Sequence, residues 1–329
     1  MVNKHLFKTA KKFLPLIGLI ILIFLVYKLG LEDIINAFLK IHPIYIILSI
    51  SLIFPRILIR NYAWRIIQKE QKIKLSFWES LKIFLIGYFY GSFTPGYFGQ
   101  MMRAPYMKEK TGEPYGKLFV NVFIEVILRS ISLQVMIIVG AIIIVIEKNQ
   151  PLVLYFAMLY MIILGVLIIY FTKKQRGEKT FSKLIKIFIP KKLKHHFHDF
   201  IATFYKDFPT FKSLIVPFLI GAITWVIIFS QEYIFVIALG LPIPFTIFLF
   251  LFPIANFVGF TPITFAGLGI RDLTAVGLFT FMYPEIDGSD ILVVSLMGFI
   301  ITDVLTGFIG FLLSLTETRD KSYKIFINS

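Results

Sequence analysis

The sequence contains apolar stretches that are too long for a soluble domain. Leu152–Phe171 has no charged side chain, and about 18 apolar residues are enough for a helix to cross a bilayer. In lipid, only helices and closed barrels satisfy every backbone hydrogen bond, and these stretches lack the two-residue alternation of barrel strands. With 57% hydrophobic residues, the chain is predicted to be an all-α polytopic integral membrane protein.

Basic residues set the predicted orientation. Residues 13–29 form a first span with no cleavage site after it, and four lysines precede it, so we expect the N-terminus in the cytoplasm. The loop of residues 173–212 carries eleven Lys and Arg, and the C-terminal tail adds Arg319, Lys321 and Lys324. The net charge of +15 therefore indicates cytoplasmic loops beside anionic lipid in a cell membrane, and no nucleic-acid partner.

Two apolar segments are interrupted by proline and glycine. If residues 76–93 crossed fully, the basic loop would lie outside, so we predict a re-entrant hairpin that enters from the cytoplasm, breaks at Pro95-Gly96 and returns. Residues 245–282 break between Thr261 and Gly269, and the acidic loop after them lies outside. For this second segment, re-entry and two full crossings both fit. Leu31 to Leu39 are predicted as an interfacial helix, followed by a second span ending near Ile59.

The two interrupted segments resemble each other in sequence and in place. Phe-Thr-Pro occurs in both, and an Arg follows the Thr by nine residues at Arg103 and by ten at Arg271. We predict one transmembrane domain over residues 1–329, with about six spans and two oppositely oriented hairpins. Its halves, residues 1–172 and 213–329, flank the basic loop 173–212 as an inverted repeat. Interrupted segments at matching places indicate a transporter site near the bilayer midplane.

The predicted headgroup site combines backbone N–H groups freed by proline and glycine with arginines suited to phosphate. Ionisable groups inside a span cost about 2.5–3.5 kcal/mol each on insertion scales, so each needs a partner or water. We expect Glu125 to pair with Arg129, and Asp272 or Asp303 to pair with Arg271 or Arg103; Glu232 is a further acid. Kinks that only serve packing, and purely structural ion pairs, are the alternatives. The predicted binding residues are Thr94, Pro95, Gly96, Gly99, Gln100, Arg103, Glu125, Arg129, Thr261, Pro262, Gly267, Gly269, Arg271, Asp272 and Asp303.

The remaining motifs exclude several classes of chemistry. The sequence has no cysteine, and we find no phosphate loop, nucleophile elbow or other catalytic motif, so no cofactor and no catalytic residue are predicted. His195, His196 and His198 lie in a lysine-rich loop, and we predict no metal site there. Two amphipathic pieces of this loop lie either on the inner leaflet or against the protein; they contain Phe181, Leu184, Ile185 and Phe188, and Phe197, Phe200, Ile201 and Phe204.

The interrupted segments resemble signatures of a known family. Residues 94–103, Thr-Pro-Gly-Tyr-Phe-Gly-Gln-Met-Met-Arg, and residues 262–272, Pro-Ile-Thr-Phe-Ala-Gly-Leu-Gly-Ile-Arg-Asp, resemble the two motifs of the lysylphosphatidylglycerol synthase transmembrane-region family, the flippase-like domain. Gln100 stands where the family usually has Glu, Phe265-Ala266 where it has Pro-Gly, Asp272 where it has Glu, and Val126 where an Arg usually follows Glu125. Length and hydropathy match over nearly the whole chain.

The resemblance implies a domain that moves a modified phospholipid across the bilayer. Because the sequence ends at Ser329, where fused synthases continue into a soluble transferase domain, lysyl transfer is not expected. We therefore predict a flippase-like transporter for an anionic or modified phospholipid headgroup. A membrane enzyme or enzyme subunit for glycolipid or polyprenyl-phosphate substrates is one alternative, and a lipid-binding scaffold is another. Membrane lipids are the expected partners, with a homo-oligomer or a separate lipid-modifying enzyme as further possibilities.

Overall fold

The computed structural model of the chain describes residues 19–92, 94–173, 175–180, 200–261 and 264–317. Over these residues the protein is an all-α membrane protein, as predicted. Two 3₁₀ turns interrupt apolar segments, at Pro95–Met102 and Phe265–Gly267, and a π-helical turn, Ile300–Leu305, lies within the last long helix. The α-helices of the first half are α1 (Leu19–Leu29), α2 (Leu31–Lys40), α3 (Pro43–Ser51), α4 (Ile53–Glu70), α5 (Phe77–Ser92), α6 (Arg103–Thr111), α7 (Tyr115–Lys148) and α8 (Leu152–Thr172). Those of the second half are α9 (Phe211–Ala238), α10 (Phe245–Gly259), α11 (Ile270–Met282), α12 (Gly288–Phe299) and α13 (Thr306–Leu315).

Five helices in the described part of the chain are long and apolar enough to cross a membrane. They are α3 with α4 as Pro43–Glu70, α7, α8, α9, and α12 with α13 as Gly288–Leu315. The predicted first span, residues 13–29, corresponds to α1 in the part that the structure describes, and residues 13–18 lie outside the described ranges. The second span is longer than predicted because Arg56 and Arg60 are buried within it and do not mark its end. The predicted interfacial helix is α2, whose Ile34 and Ala37 are buried where α2 packs on α12.

The two halves contact each other through matched pairs of helices. α4 packs against α9, while α5 packs against α13 and α10 against α7. In each half, the long helix that follows the interrupted segment therefore packs on the interrupted segment of the other half. Each of the contacts α5–α13 and α7–α10 depends on a glycine. Gly140 of α7 lies against the carbonyl group of Phe250, and Gly310 of α13 lies against that of Leu85; a Cβ at either glycine would overlap the carbonyl. This pairing is the arrangement expected of an inverted repeat.

The first broken segment, residues 77–111, begins and ends beside the same carboxylate. Lys82 in α5 lies 2.6 Å from one oxygen of Glu317, and Lys110 in α6 lies 3.6 Å from the other. Both limbs of this segment therefore start from one end of the helix bundle, which we call the Glu317 end.

The second broken segment, residues 245–282, has the same relation to the opposite end. Pro244, directly before α10, and Tyr283, directly after α11, line one cleft together with Lys148 at the end of α7. Because α7 runs away from the Glu317 end, the two broken segments enter the bundle from opposite ends.

The part of the basic loop that the structure describes packs on the protein. Ile201 and Phe204 are buried, and Phe204 lies in a small apolar cluster with Ile67 of α4 and with residues of α7. For the described part of this amphipathic piece, residues 200–204, packing against the protein is therefore the correct alternative. The other piece, with Phe181 to Phe188, and the three histidines lie outside the described residues.

An ion-pair network at the Glu317 end holds this loop on α7. Lys117 is almost completely buried and lies 3.1 Å from Asp207 and 3.0 Å from Glu113. The Lys117 hydrogen bond, supported by the charges of Lys117 and Lys72, holds the pKa of Asp207 below its ordinary value. The loop is thus attached by charge as well as by apolar contact.

Candidate functional site

The two interruptions meet at the centre of the bundle. The turn Pro95–Met102 packs on the turn Phe265–Gly267, and the ring of Tyr97 lies edge-on to that of Phe260, with centroids 5.2 Å apart. The Tyr97 hydroxyl donates a hydrogen bond of 3.1 Å to Asp303 on the last long helix. The predicted pairing of the interruptions is therefore a direct contact.

Each turn holds one residue other than glycine in the left-handed backbone region. Tyr97 has φ 57° and Ala266 has φ 49°. Side chains other than glycine, asparagine and aspartate adopt this region infrequently, and such strain concentrates at ligand sites and switches. The same departure in both turns is a second feature that the halves share.

A buried ring of four side chains lies directly after the first turn. Arg103 donates to Glu125 (Nη1 to Oε2, 2.9 Å) and to Gln100 (Nη2 to Oε1, 2.5 Å). Arg60 of α4 donates to the other Glu125 oxygen at 3.2 Å and to the same Gln100 oxygen at 3.3 Å. One carboxylate and one neutral amide therefore bind two guanidinium groups, and all four residues are buried.

Aromatic rings and a glycine hold Arg103 in place. Its guanidinium carbon lies 4.9 Å from the ring centroid of Trp64 and 4.8 Å from that of Phe84, within cation–π range. Gly87 of α5 lies against the Arg103 side chain, and an added Cβ would overlap it. In the second half, Gly259 of α10 lies against Arg271 in the same way.

Arg129 has a different environment from the one expected. We predicted that it pairs with Glu125, but both Glu125 oxygens are taken by Arg103 and Arg60, so this prediction is wrong. The guanidinium of Arg129 instead lies 5.5 Å from the ring centroid of Trp225 on α9. Among the described residues, Arg129 forms no ion pair.

A small cavity opens beside Arg129, between α4, α7 and α9. Its volume is about 20 Å³, which is room for roughly one water molecule. The wall is cationic on one side and mostly apolar on the other; its residues are Arg60, Ala63, Ile67, Glu125, Leu128, Arg129, Pro217, Gly221 and Thr224. A headgroup can enter only if these helices move apart.

The second interruption carries a tighter ion pair. Arg271 donates to Asp272 (Nη2 to Oδ1, 2.6 Å) and to the Ser295 hydroxyl (Nε to Oγ, 3.1 Å). The Ser295 hydroxyl donates to the same Asp272 oxygen at 2.6 Å. The predicted pairing of Asp272 with Arg271 is confirmed, and all three side chains are buried.

Two backbone amides that we assigned to a headgroup are bonded within the protein. The Gly99 N–H donates to the Thr94 hydroxyl at 2.7 Å, and the Gly269 N–H donates to Asp272 Oδ2 at 2.8 Å. Buried amides need acceptors, and short polar side chains at the turns provide them. The prediction that these amides bind the anion is therefore wrong, and the arginines are the predicted donors that remain.

Asp303 links the first turn to the last long helix. It accepts hydrogen bonds from Tyr97 and, at 3.4 Å, from Tyr88 of α5, and it pairs with neither Arg103 nor Arg271. The Thr302 carbonyl, in the π-helical turn, accepts from Arg56 and Tyr88. π-turns widen a helix and are frequent at functional sites.

The other predicted site residues have structural contacts. Pro95 and Gly96 begin the first 3₁₀ turn, and the Thr261 hydroxyl donates to the Val258 carbonyl at 2.7 Å. Gly267, with φ 78°, lies against the backbone of Gly259. Pro262 lies outside the described residues. Within the described ranges, no group of three His, Asp or Glu side chains is arranged to hold a metal ion.

Sequence reasoning missed the polar face of α4. Arg56, Arg60, Trp64 and Gln68 are spaced four residues apart, and all are buried. We interpreted the arginines as the cytoplasmic end of a span. Their four-residue spacing inside an apolar segment was the signal for a buried polar stripe facing the protein.

Glu232 of α9, like Asp303, is a buried acid that forms no ion pair in the part of the chain that the structure describes. It is buried, its Oε2 has no hydrogen-bond donor, and Gly298 lies against its carboxyl group. It does not line the cavity beside Arg129.

Comparison with known proteins identifies a family for the chain. No curated protein matches the chain. A family model described as the lysylphosphatidylglycerol synthase transmembrane region matches residues 14–310, which include both interruptions and every charged residue of the two clusters. The match supports a role in membrane lipid metabolism or transport. The chain therefore belongs to the lysylphosphatidylglycerol synthase transmembrane-region family and is a multi-pass membrane protein.

Proposed function

We propose that the protein moves an anionic or modified phospholipid across a membrane, and that the cavity beside Arg129 receives the headgroup. The observation that carries this proposal is the contact of two oppositely entering interruptions beside a buried arginine cluster. Transporters built on inverted repeats bind their substrates near such interrupted helices. Here the cavity lies beside the first interruption, between α4, α7 and α9, and two of its residues, Arg60 and Glu125, belong to the cluster that contains Arg103. The family match supports a membrane lipid as the substrate.

Arg129 is the proposed first contact of the phosphate group. A charged side chain inside a span costs about 2.5–3.5 kcal/mol on insertion scales unless a partner or water compensates. Within the described ranges, the guanidinium of Arg129 has a ring contact with Trp225 and no ion pair, whereas Arg60 and Arg103 share Glu125. A guanidinium forms two parallel hydrogen bonds with a phosphate, so a lipid phosphate supplies the partner that Arg129 lacks.

Helix α9 is the proposed moving wall of the site. Pro217 lies inside this helix, and Gly221 one turn later lines the cavity. Proline removes a backbone hydrogen bond and weakens the helix locally. Displacement of this turn widens the cavity toward the lipid phase, where the acyl chains remain while the headgroup enters.

The proposal includes an orientation. Each broken segment re-enters, the first from the cytoplasmic side and the second from the outside, and the Glu317 end is cytoplasmic. The matched contacts of Lys82 and Lys110 with Glu317 support this assignment, as does the basic loop at that end. The protein would thus lie in the cell membrane with both termini in the cytoplasm and with lipids as its partners.

Reconstitution tests the proposal. Purified protein is placed in liposomes that contain a trace of phosphatidylglycerol labelled on its acyl chain, and loss of the outer-leaflet label is followed. We expect acceleration by the wild type and at least a tenfold lower rate for Arg129→Gln, because loss of about 1.4 kcal/mol of phosphate binding corresponds to a factor of ten.

The matched control is Arg65→Gln. This arginine lies on α4 beside the Phe77 ring, away from the cavity, and its loss should leave the rate near that of the wild type. Equal rates for the two variants would refute the assignment of Arg129. No acceleration by the wild type with any labelled lipid would refute transport itself.

A further inference from the structure

The charge balance of the first interruption is uneven. Three guanidinium groups, those of Arg60, Arg103 and Arg129, surround one carboxylate, that of Glu125. The fourth polar partner, Gln100, is neutral. The cluster therefore carries two positive charges that no acidic side chain of the cluster compensates.

A carboxylate at position 100 could accept the same hydrogen bonds as the Gln100 amide oxygen. Its Oε1 accepts hydrogen bonds from Arg60 at 3.3 Å and Arg103 at 2.5 Å. It is 1% exposed, and the side chain packs against Gly91 of α5. Glu has nearly the same shape and would accept the same two bonds, so residue 100 sets the charge of the cluster without setting its packing.

The acids of the second half do not compensate this excess at the cavity. Asp272 is paired with Arg271, Asp303 accepts from two tyrosines, and Glu232 packs on Gly298. None of the three lines the cavity, whose charged wall consists of Arg60, Arg129 and Glu125. In a low-dielectric interior such an excess acts strongly on a charged ligand.

We propose that the protein selects lipids whose headgroup has a net negative charge, and that Gln100 sets this selectivity by leaving two positive charges uncompensated. The inference rests on the proposed transport function and specifies its substrate class. A headgroup with one phosphate and no amine compensates part of the excess. A zwitterionic headgroup brings no net charge, and an aminoacylated headgroup with net positive charge is repelled. Gln100 acts through Arg60 and Arg103 and is thus a positioning residue.

The test measures the ratio of transport rates in liposomes for three acyl-labelled probes. They are phosphatidylglycerol (net negative), phosphatidylcholine (zwitterionic) and lysyl-phosphatidylglycerol (net positive). We expect the wild type to move them in that order of decreasing rate. Gln100→Glu adds one negative charge beside both arginines. It should lower the ratio of the phosphatidylglycerol rate to the phosphatidylcholine rate by roughly tenfold, which corresponds to about 1.4 kcal/mol in relative affinity.

Two further variants separate charge from structure. Gln100→Met has a similar size and is neutral, but it loses both accepted hydrogen bonds, so a purely structural role predicts a change here and not in Gln100→Glu. Gln100→Glu combined with Glu125→Gln moves the carboxylate across the same two guanidiniums and keeps the wild-type net charge. We expect its ratio to return toward that of the wild type.

Each outcome bears on a different statement. Absence of transport by the wild type for all three probes refutes the proposed function. Transport of all three at equal rates, or an unchanged ratio in Gln100→Glu, refutes the selectivity while transport stands. If Gln100→Glu does not fold, the double variant decides: a ratio far from that of the wild type refutes the role of net charge.

Discussion

Replacement of Glu125 by Gln should destabilise the protein more than any other change of one carboxylate to an amide on α7. The Glu125 carboxylate accepts from Arg103 at 2.9 Å and from Arg60 at 3.2 Å. A glutamine keeps one acceptor oxygen but turns its NH₂ group toward the second guanidinium. Two buried arginines, Arg60 and Arg103, are then left without a carboxylate.

The size of the effect follows from burial. The side chains of Arg60, Arg103 and Glu125 are at most 7% exposed, so water cannot replace the lost partner. Removal of one partner from a buried ion pair costs about 3–5 kcal/mol, because the remaining charge stays buried and unpaired. A second substitution, Gln100→Glu, returns a carboxylate to the same guanidiniums and should recover most of this loss.

Unfolding of the purified protein in mixed micelles, titrated with SDS and followed by tryptophan fluorescence, measures these differences. Glu147→Gln is the control, since Glu147 is exposed at the far end of α7 and should change the free energy of unfolding by less than about 0.5 kcal/mol. A loss below about 1 kcal/mol for Glu125→Gln would refute the reasoning. So would a double variant that is less stable than Glu125→Gln alone.

Two further predictions concern the inverted arrangement of the halves. Gly310→Leu should destabilise the protein by about 1–3 kcal/mol or more, because its side chain overlaps a backbone carbonyl of α5; Gly165→Leu, where no atom lies within 4 Å of an added Cβ, is the control in the same unfolding titration. Since the chain has no cysteine, single cysteines at Lys82, Lys110 and Lys148 can be labelled in oriented vesicles with an impermeant maleimide, and labelling of the first two from one side and the third from the other is expected. Labelling of Lys82 and Lys110 from opposite sides would contradict re-entry of the first broken segment.

The sequence predicted most of the helices because hydropathy, proline and glycine act locally. α11 begins and ends at the predicted residues, Ile270 and Met282, and the first segment ends at Ser92 beside the predicted break. A long apolar run forms a helix in lipid whatever its neighbours are. Prolines and glycines then determine where that helix ends.

The partners within the site could not be predicted in the same way. Glu125 and Arg129 are one turn apart on α7, and local spacing favours their pairing. Arg103 and Arg60 take both carboxylate oxygens instead, and Arg60 comes from a helix that lies 65 residues earlier in the chain. Such a choice depends on how α4, α6 and α7 pack together, and no local pattern records it.

The two interruptions have similar backbone arrangements but different ion pairs. Ser295 on the last long helix occupies the position that corresponds to Glu125 on α7. Ser295 precedes Gly310 by the same number of residues as Glu125 precedes Gly140. The second half has its acid beside the arginine, where Asp272 also accepts from Gly269 and so closes the turn. Arg271 is therefore neutralised within its own turn. In the first half the single acid, Glu125, lies on a different helix from Arg60 and Arg103 and is shared by both. Arg129, beside the cavity, has no carboxylate partner within the described residues. We accordingly expect headgroup binding beside the first interruption, and we expect the second to act as the surface against which the first one packs.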